Sequence, residues 1–312
     1  MTLIASNTRM SFATTQNPKD VPPPYVEYDP NNNNNLPETL TPPPPKYDTL
    51  VMDCTPSIRE QFIGKVYSIL SFQMLLTFVV GLVVQRNPSL QAYMLLHPAA
   101  WWLCTILSIV TCIWLSVVPR AEDYELAALD AGSLNGLLEA QVPESQRSRE
   151  RRLPWYVLTH RGQLSVLSVF TLCEAYVVTQ FTLFYDADVV LQAILVTGIV
   201  VLGVTVMALS GKFSYLVDEG SSIYYWLNWA LWVMIGIGIS SLFFGISARM
   251  NFWYGVLGSV VFTIYLLIDT QMIFRKVYPN EEVKCAMMLY LDIINLFISI
   301  LRVIGSGNGN DD

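Results

Sequence analysis

Charged side chains are scarce in this sequence of 312 residues, since only 14% are Asp, Glu, Lys or Arg. A soluble domain usually carries about 25% charged residues. The shortage is uneven, because residues 1–57 are polar and rich in Pro and Asn, and 119–163 carries many charges of both signs. The remainder consists of apolar runs about 20 residues long, which cross a roughly 30 Å hydrocarbon layer as helices. Helices are expected because every backbone polar group in lipid must be paired within its segment.

Other features that are missing exclude further classes of protein. The five cysteines show no CxxC pair and no metal-ligand spacing, so neither a disulfide framework nor a zinc site is predicted. The net charge of -7 argues against nucleic acid as a partner. No apolar run falls within the first 60 or so residues, so no cleavable signal peptide is predicted. We expect the first span to act as the insertion signal.

The apolar runs predict an all-α membrane protein, a bundle of seven transmembrane helices over residues 58–304. The last run is the most polar, since it contains Asp292, Asn295 and Arg302. The sequence leaves open whether it crosses the membrane or re-enters and returns. A short polar tail, 305–312, follows it. The seven predicted spans are Val66–Val84, Ala99–Val118, Leu164–Tyr185, Val189–Leu209, Ile223–Phe244, Phe252–Ile273 and Ala286–Ile304.

The distribution of basic residues predicts the orientation in the bilayer. If the N-terminus is cytosolic, 15 of the 18 lysines and arginines lie on the cytosolic side, many of them in the loop 119–163. Positive charge is concentrated on the cytosolic side of membrane proteins. The N-terminus is therefore predicted to lie in the cytosol.

The N-terminal tail, residues 1–57, is of low complexity and is predicted to be disordered. It contains two Pro-Pro-x-Tyr motifs, Pro22-Pro23-Pro24-Tyr25 and Pro44-Pro45-Lys46-Tyr47. Prolines preset the extended conformation that docks on the aromatic groove of WW domains. Many Pro-rich tails bind nothing, but two copies that each end in tyrosine favour recruitment of a WW-domain ubiquitin ligase.

Three acidic residues lie inside predicted spans: Glu174, Asp269 and Asp292. An ionised aspartate at mid-bilayer costs roughly 2.5–3.5 kcal/mol on insertion scales, so such residues usually face the bundle interior and serve a function. The alternative is that each acid only bonds a neighbouring backbone. Two aspartates on consecutive spans, together with Glu174, favour a functional site.

Helical spacing places Asp292, Asn295 and Ser299 on one face of the last span. Consecutive spans with a short connection are antiparallel neighbours, so Asp269 is expected to approach Asp292. Two carboxylates a few ångströms apart share a proton. The pair would act as a latch, closed while the proton bridges it and strained once both groups are charged. Arg59, just before the first span, is either an interface anchor or a partner of this pair.

Several segments are similar to the Bax-inhibitor-like family, also called the TMBIM or Lifeguard family, and most closely to its fungal members. The similarity covers about residues 58–304. Its strongest part is Tyr265–Leu301, which contains LLIDTQMIFRKVYPNEEV and CAMMLYLDIINLFISIL. The other segments are REQFIGKVYSILSFQ at Arg59–Gln73, CIWLSVVPRAEDY at Cys112–Tyr124, LPWYVL at Leu153–Leu158 and SIYYWLNWALWVMIG at Ser222–Gly236.

The resemblance implies a seven-helix bundle without an enzymatic cofactor. It also implies a pH-dependent calcium leak from internal stores that modulates cell death and the unfolded-protein response. The family's paired-aspartate pH sensor corresponds to Asp269 and Asp292, and its acidic residue in the third span corresponds to Glu174. The endoplasmic reticulum is the membrane that the resemblance favours, with the vacuole and the Golgi left open by the sequence. Cell-death regulators are further expected partners.

Three functions remain open at this stage. The first is a proton-gated calcium leak, in which Asp269 and Asp292 form a weak calcium site. The second is a non-conducting membrane adaptor whose tail recruits the ubiquitin ligase. The third, an intramembrane aspartyl protease, also needs two aspartates in the membrane, but Asp269 does not lie in a GxGD motif.

Overall fold

Seven helices in the computed structural model are long and apolar enough to cross a membrane, judged by length and composition. The structure describes residues 50–118, 157–210 and 222–308. The predicted all-α, seven-span fold class is thereby confirmed. One further helix, α2, is too short to span. In chain order the helices are α1 (Pro56–Arg86), α2 (Pro88–Leu96), α3 (Pro98–Val117), α4 (His160–Thr182), α5 (Ala187–Leu209), α6 (Ser222–Phe244), α7 (Ala248–Arg275) and α8 (Glu282–Asn308).

Two groups of predictions lie outside the described residues. They are the N-terminal tail with both Pro-Pro-x-Tyr motifs, and most of the loop 119–163. The predicted division into 1–57, 58–304 and 305–312 therefore stays a prediction. The described residues belong to one compact unit.

Proline and capping residues set the beginnings of the helices. Pro56, Pro88 and Pro98 occupy the first turns of α1, α2 and α3, where a missing N–H breaks no intrahelical bond. The connection between the first two spans contains a short helix, α2, which begins at Pro88 and ends before Pro98. The periodicity of the sequence did not predict this helix. The side chains of Thr159 and Ser247 accept hydrogen bonds from backbone N–H groups at the starts of α4 and α7. Such caps pair donors that the helix itself leaves open.

The last apolar run forms one continuous helix. Its apolar part extends over 26 residues, Glu282–Gly307, and a helix rises about 1.5 Å per residue. That length exceeds the roughly 30 Å of a hydrocarbon core. The structure therefore favours a full crossing over a re-entrant segment.

This polar helix is also the centre of the bundle. In the most apolar stretch of α8, 61% of the residues are buried, compared with 11% in the corresponding stretch of α6. The helix packs against α1, α4, α5 and α7, whereas α6 packs mainly against α7. Its fully buried side chains include Tyr290, Leu296 and Leu301. Polar residues on α8 are thus shielded from lipid by the surrounding helices, and the apolar outer faces of those helices remain for the acyl chains.

Candidate functional site

A cavity of about 620 Å³ lies beside α8. Its walls are apolar and aromatic over most of their area, with Trp101 from α3, Phe181 from α4 and Met234 from α6 among them. Its polar side is formed by α7 and α8. The polar lining residues on these two helices are Tyr254, Tyr265, Asp269, Asp292, Asn295, Ser299 and Arg302.

The polar face predicted for the last span lines this cavity. Asp292, Asn295 and Ser299 all contribute to its wall, as expected for side chains separated by three and four residues on a helix. The same face continues to Arg302, three residues beyond Ser299. The sequence did not lead us to predict this arginine as part of the site, although its separation of three residues from Ser299 places it on the same helical face.

The structure brings Asp269 and Asp292 together at one end of the cavity. Their side chains are hydrogen-bonded to each other. Ionised carboxylates only accept hydrogen bonds, so a bond between two carboxyl groups requires a proton on one of them. Asp292 is 8% exposed, and its Oδ2 atom has no hydrogen-bond partner in the described part of the chain. The two carboxyl groups are therefore placed where one proton between them would form this bond.

Two glycines allow α7 and α8 to pack closely toward the opposite end of the cavity from the acid pair. A Cβ atom added at Gly255 would lie 2.8 Å from the backbone oxygen of Ser299 and 3.0 Å from Arg302 Cβ. One added at Gly258 would lie 2.9 Å from Met234 Cε and would also overlap the Ser299 side chain. Small residues permit such close packing of membrane helices. Gly255 and Gly258 therefore permit close packing of α7 on α8 beside Ser299.

The opposite end of the cavity carries a positive charge. Arg302 donates a hydrogen bond from Nη1 to Asn251 Oδ1 at 2.7 Å. Its guanidinium carbon lies 4.8 Å from the ring centroid of Phe181 and 5.0 Å from that of Tyr254. Arginine over aromatic faces is a favourable arrangement. The ends of the cavity thus differ, with carboxyl groups at one and a guanidinium at the other, about 15 Å apart along α8.

Glu174 lies in a different place, between α3 and α4. Its Oε1 atom accepts a hydrogen bond from the Ser108 hydroxyl, and Glu174 is not among the residues that line the cavity. Nearby polar contacts join further helices: Gln73 donates to Thr171 Oγ1 at 2.9 Å, and Thr77 and Tyr290 share a hydrogen bond of 2.8 Å. We call this set the Glu174 layer, comprising Gln73, Thr77, Ser108, Thr171, Glu174 and Tyr290. The structure does not place Glu174 with the aspartate pair.

Arg59 also lies apart from the aspartate pair. Its side chain is exposed in the first turn of α1, and it does not line the cavity. The structure therefore brings together Asp269, Asp292 and Asn295, but neither Glu174 nor Arg59, of the residues predicted to share the site. Of the two interpretations of Arg59, its position agrees with an interface anchor.

The cavity offers a cation only a few ligands. In the ranges 50–118, 157–210 and 222–308, no group of three or more His, Cys, Asp or Glu residues is arranged to hold a metal ion. The two carboxyl groups and the Asn295 amide, one turn further along α8, present hard oxygen donors of the kind that calcium prefers. Such a small set suits weak and transient binding.

The fold and this site define an integral membrane protein with seven membrane-spanning helices, built around a central polar helix that carries one member of a buried carboxyl pair. A family model described as inhibitor of apoptosis-promoting Bax1 matches residues 152–309, which contain α4–α8. Bax inhibitor 1 of Saccharomyces cerevisiae is 51% identical over 86% of this chain and 89% of its own length. The chain belongs to the Bax inhibitor and Lifeguard family, an anti-apoptotic family, and the resemblance found in the sequence is confirmed.

Other relatives extend this result. Protein lifeguard 4 of Mus musculus is 30% identical over 84% of this chain and 92% of its own length. The Golgi anti-apoptotic protein of Vaccinia virus is 32% identical over 48% of this chain and 60% of its own length. These relatives are named for cell death or for the Lifeguard family and not for an enzymatic activity.

Proposed function

We propose that this protein is a pH-sensitive calcium leak of an internal membrane, and that it modulates calcium homeostasis, the response to endoplasmic reticulum stress and cell death. The observation that carries the proposal is the hydrogen bond between Asp269 and Asp292 beside a polar cavity in a membrane-spanning bundle. Membership of an anti-apoptotic family supports the part that concerns cell death.

The shared proton supplies the sensitivity to pH. While it bridges the two carboxyl groups, α7 and α8 are held together at this level of the bundle. Once the proton leaves, two negative charges face each other in a medium of low dielectric constant, where their repulsion is much stronger than in water. The repulsion separates the helices, so we expect the leak to increase as the pH rises.

The same residues supply weak cation binding. Carboxylate, amide and hydroxyl oxygens from Asp269, Asp292, Asn295 and Ser299 line one continuous wall and match the oxygen ligands that calcium takes. Conduction requires that an ion leave a site as easily as it enters. A site with few ligands meets that requirement better than a tight calcium-binding loop.

Calcium flux into liposomes that contain the purified full chain tests this function, measured between about pH 6 and pH 8. The wild-type flux should rise with pH, and Asp269→Asn or Asp292→Asn should remove that dependence because an amide cannot share the proton. The matched control is Asp188→Asn, since Asp188 is an exposed aspartate in the first turn of α5. If neither cavity substitution changes the pH dependence of the flux, the proposed latch is contradicted.

We further propose that the N-terminal tail recruits a WW-domain ubiquitin ligase, which would control sorting or turnover of the protein. The support is the pair of motifs ending at Tyr25 and Tyr47. Because both motifs are on one chain, binding of one raises the effective concentration of the other at the ligase. The double substitution Tyr25→Ala with Tyr47→Ala should abolish binding to a WW-domain ligase and slow turnover, while leaving calcium flux unchanged. Unaltered ligase binding would refute this role, and lost flux would show that the tail serves the leak itself.

The proposed location is the endoplasmic reticulum with the N-terminus in the cytosol, and the vacuole and the Golgi are the alternatives. The distribution of lysine and arginine supports the orientation, and family membership supports an internal membrane. A protease-protection assay on membrane fractions tests both, since a cytosolic tail is digested in intact vesicles.

A further inference from the structure

We propose that the Arg302 end of the cavity binds the anionic headgroup of a membrane lipid, and that one acyl chain of this lipid enters the cavity. The bound molecule would come from the leaflet on the side where α7 begins, because Arg302 contacts Asn251 in the first turn of that helix. The proposal concerns a different end of the cavity from the acid pair and does not depend on calcium conduction.

The guanidinium of Arg302 has unused hydrogen-bonding capacity. Arginine carries five N–H donors, and Arg302 uses one of them in its bond to Asn251 Oδ1. Its Nε atom is buried and has no hydrogen-bond partner within the described residues. A buried donor without a partner costs free energy, and an anionic oxygen placed beside Nε would remove that cost.

No acidic side chain in the described part of the chain neutralises this charge. Within the described ranges no carboxylate forms an ion pair with Arg302, and the acid pair lies about three helical turns away. The guanidinium instead contacts the rings of Phe181 and Tyr254 and the Asn251 amide. An arginine inside a membrane protein usually has an anionic or carbonyl partner, so its charge points to an anionic ligand.

The shape of the cavity identifies that ligand as a lipid. Trp101 and Phe181 from α3 and α4 lie on one side, and Leu231 and Met234 from α6 lie on the other. Because α6 packs mainly against α7, close helix packing does not seal the gap between α6 and the α3–α4 pair. The volume of about 620 Å³ falls within the range of roughly 300–1,000 Å³ usual for small-molecule sites. A largely apolar space that ends at a cation fits an anionic amphiphile.

The test is lipid binding to the purified full chain, measured by native mass spectrometry and by the shift in Tm on addition of lipid. The probes are phosphatidic acid and phosphatidylcholine with identical oleoyl chains, together with glycerol phosphate as the headgroup alone. Phosphatidic acid should bind about tenfold or more tightly than phosphatidylcholine, a ratio typical of one strong charged contact. Glycerol phosphate should bind far more weakly than phosphatidic acid.

Arg302→Gln should remove the preference for phosphatidic acid, and Arg302→Lys should retain part of it, because lysine keeps the charge but not the planar fork. The control is Arg249→Gln, which removes the same charge from an exposed position in the first turn of α7 and should preserve the preference. A preference that survives Arg302→Gln, or that Arg249→Gln weakens equally, would overturn the proposal.

A second substitution tests the acyl-chain site and does not depend on the stability of the arginine variants. Leu231→Trp fills the cavity from α6 without altering any charge. It should weaken the binding of phosphatidic acid and leave glycerol phosphate binding unchanged. Full binding of phosphatidic acid to this variant would overturn the assignment of the cavity to the acyl chain.

Discussion

The aspartate pair and the Glu174 layer are both polar regions within the apolar bundle, and they are built in different ways. In the Glu174 layer, neutral hydroxyl and amide groups link the helices: Ser108 donates to Glu174, and Gln73 donates to Thr171. At the pair, two groups that ionise with the same sign contact each other beside a cavity. Loss of one proton therefore creates repulsion only at the pair.

This difference separates a structural polar contact from a switch. A carboxyl group that accepts from a hydroxyl keeps its partner in either protonation state. Two facing carboxyl groups lose their hydrogen bond once both are ionised. We therefore expect the Glu174 layer to contribute to stability, and the pair to contribute chiefly to the response to pH.

The largest expected effect is on the close contact between α7 and α8, the two helices that carry the pair. Gly255→Ala places a methyl group against the backbone oxygen of Ser299, 2.8 Å away, so the helices must separate. We expect a loss of about 1–3 kcal/mol in the free energy of unfolding, measured by thermal or denaturant unfolding in detergent. Gly203→Ala in α5 is the control, because a Cβ there meets no atom within 4 Å. Equal effects at the two positions would contradict the proposed close packing.

A smaller effect is expected when the Glu174 layer is broken. Thr77→Val and Tyr290→Phe each remove one partner of a buried hydrogen bond that joins α1 to α8. Interhelical hydrogen bonds in membranes average about 0.6 kcal/mol in double-mutant cycles. The cycle of these two substitutions should give a coupling energy near that value, with the pH dependence of calcium flux unchanged. A shift of the pH dependence would show that the two regions are coupled.

The smallest expected effect concerns Glu174 itself. Glu174→Gln keeps an oxygen that accepts from Ser108 and removes the ability to ionise. Calcium flux should rise with pH to the same extent as in the wild type, in the same liposome assay. If this substitution removes the pH dependence as Asp292→Asn is expected to do, the sensor extends to the Glu174 layer and the contrast between the two regions fails.

The features that depend on one helix at a time were predictable from the sequence. Seven apolar runs gave seven spans, and the spacing of Asp292, Asn295 and Ser299 gave the face that lines the cavity. The approach of Asp269 was predictable because consecutive antiparallel spans with a short connection are neighbours.

The other features depend on contacts between helices that are distant in the chain. The burial cost of Glu174 indicated a polar environment, but not that Ser108 of α3 provides it. Charge alone did not distinguish the exposed Arg59 from Arg302, which lines the cavity. The separation of Glu174 from the pair follows from the packing of α3 on α4, which no local pattern encodes.

Infrared difference spectroscopy of the purified protein, recorded between about pH 6 and pH 8, tests most directly whether Asp269 and Asp292 share a proton. One protonated carboxyl group should lose its proton as the pH rises, and its band should be missing from both Asp269→Asn and Asp292→Asn but present in Glu174→Gln. A spectrum in which both aspartates are ionised throughout, or in which Glu174→Gln alone removes the band, would contradict the proposed switch.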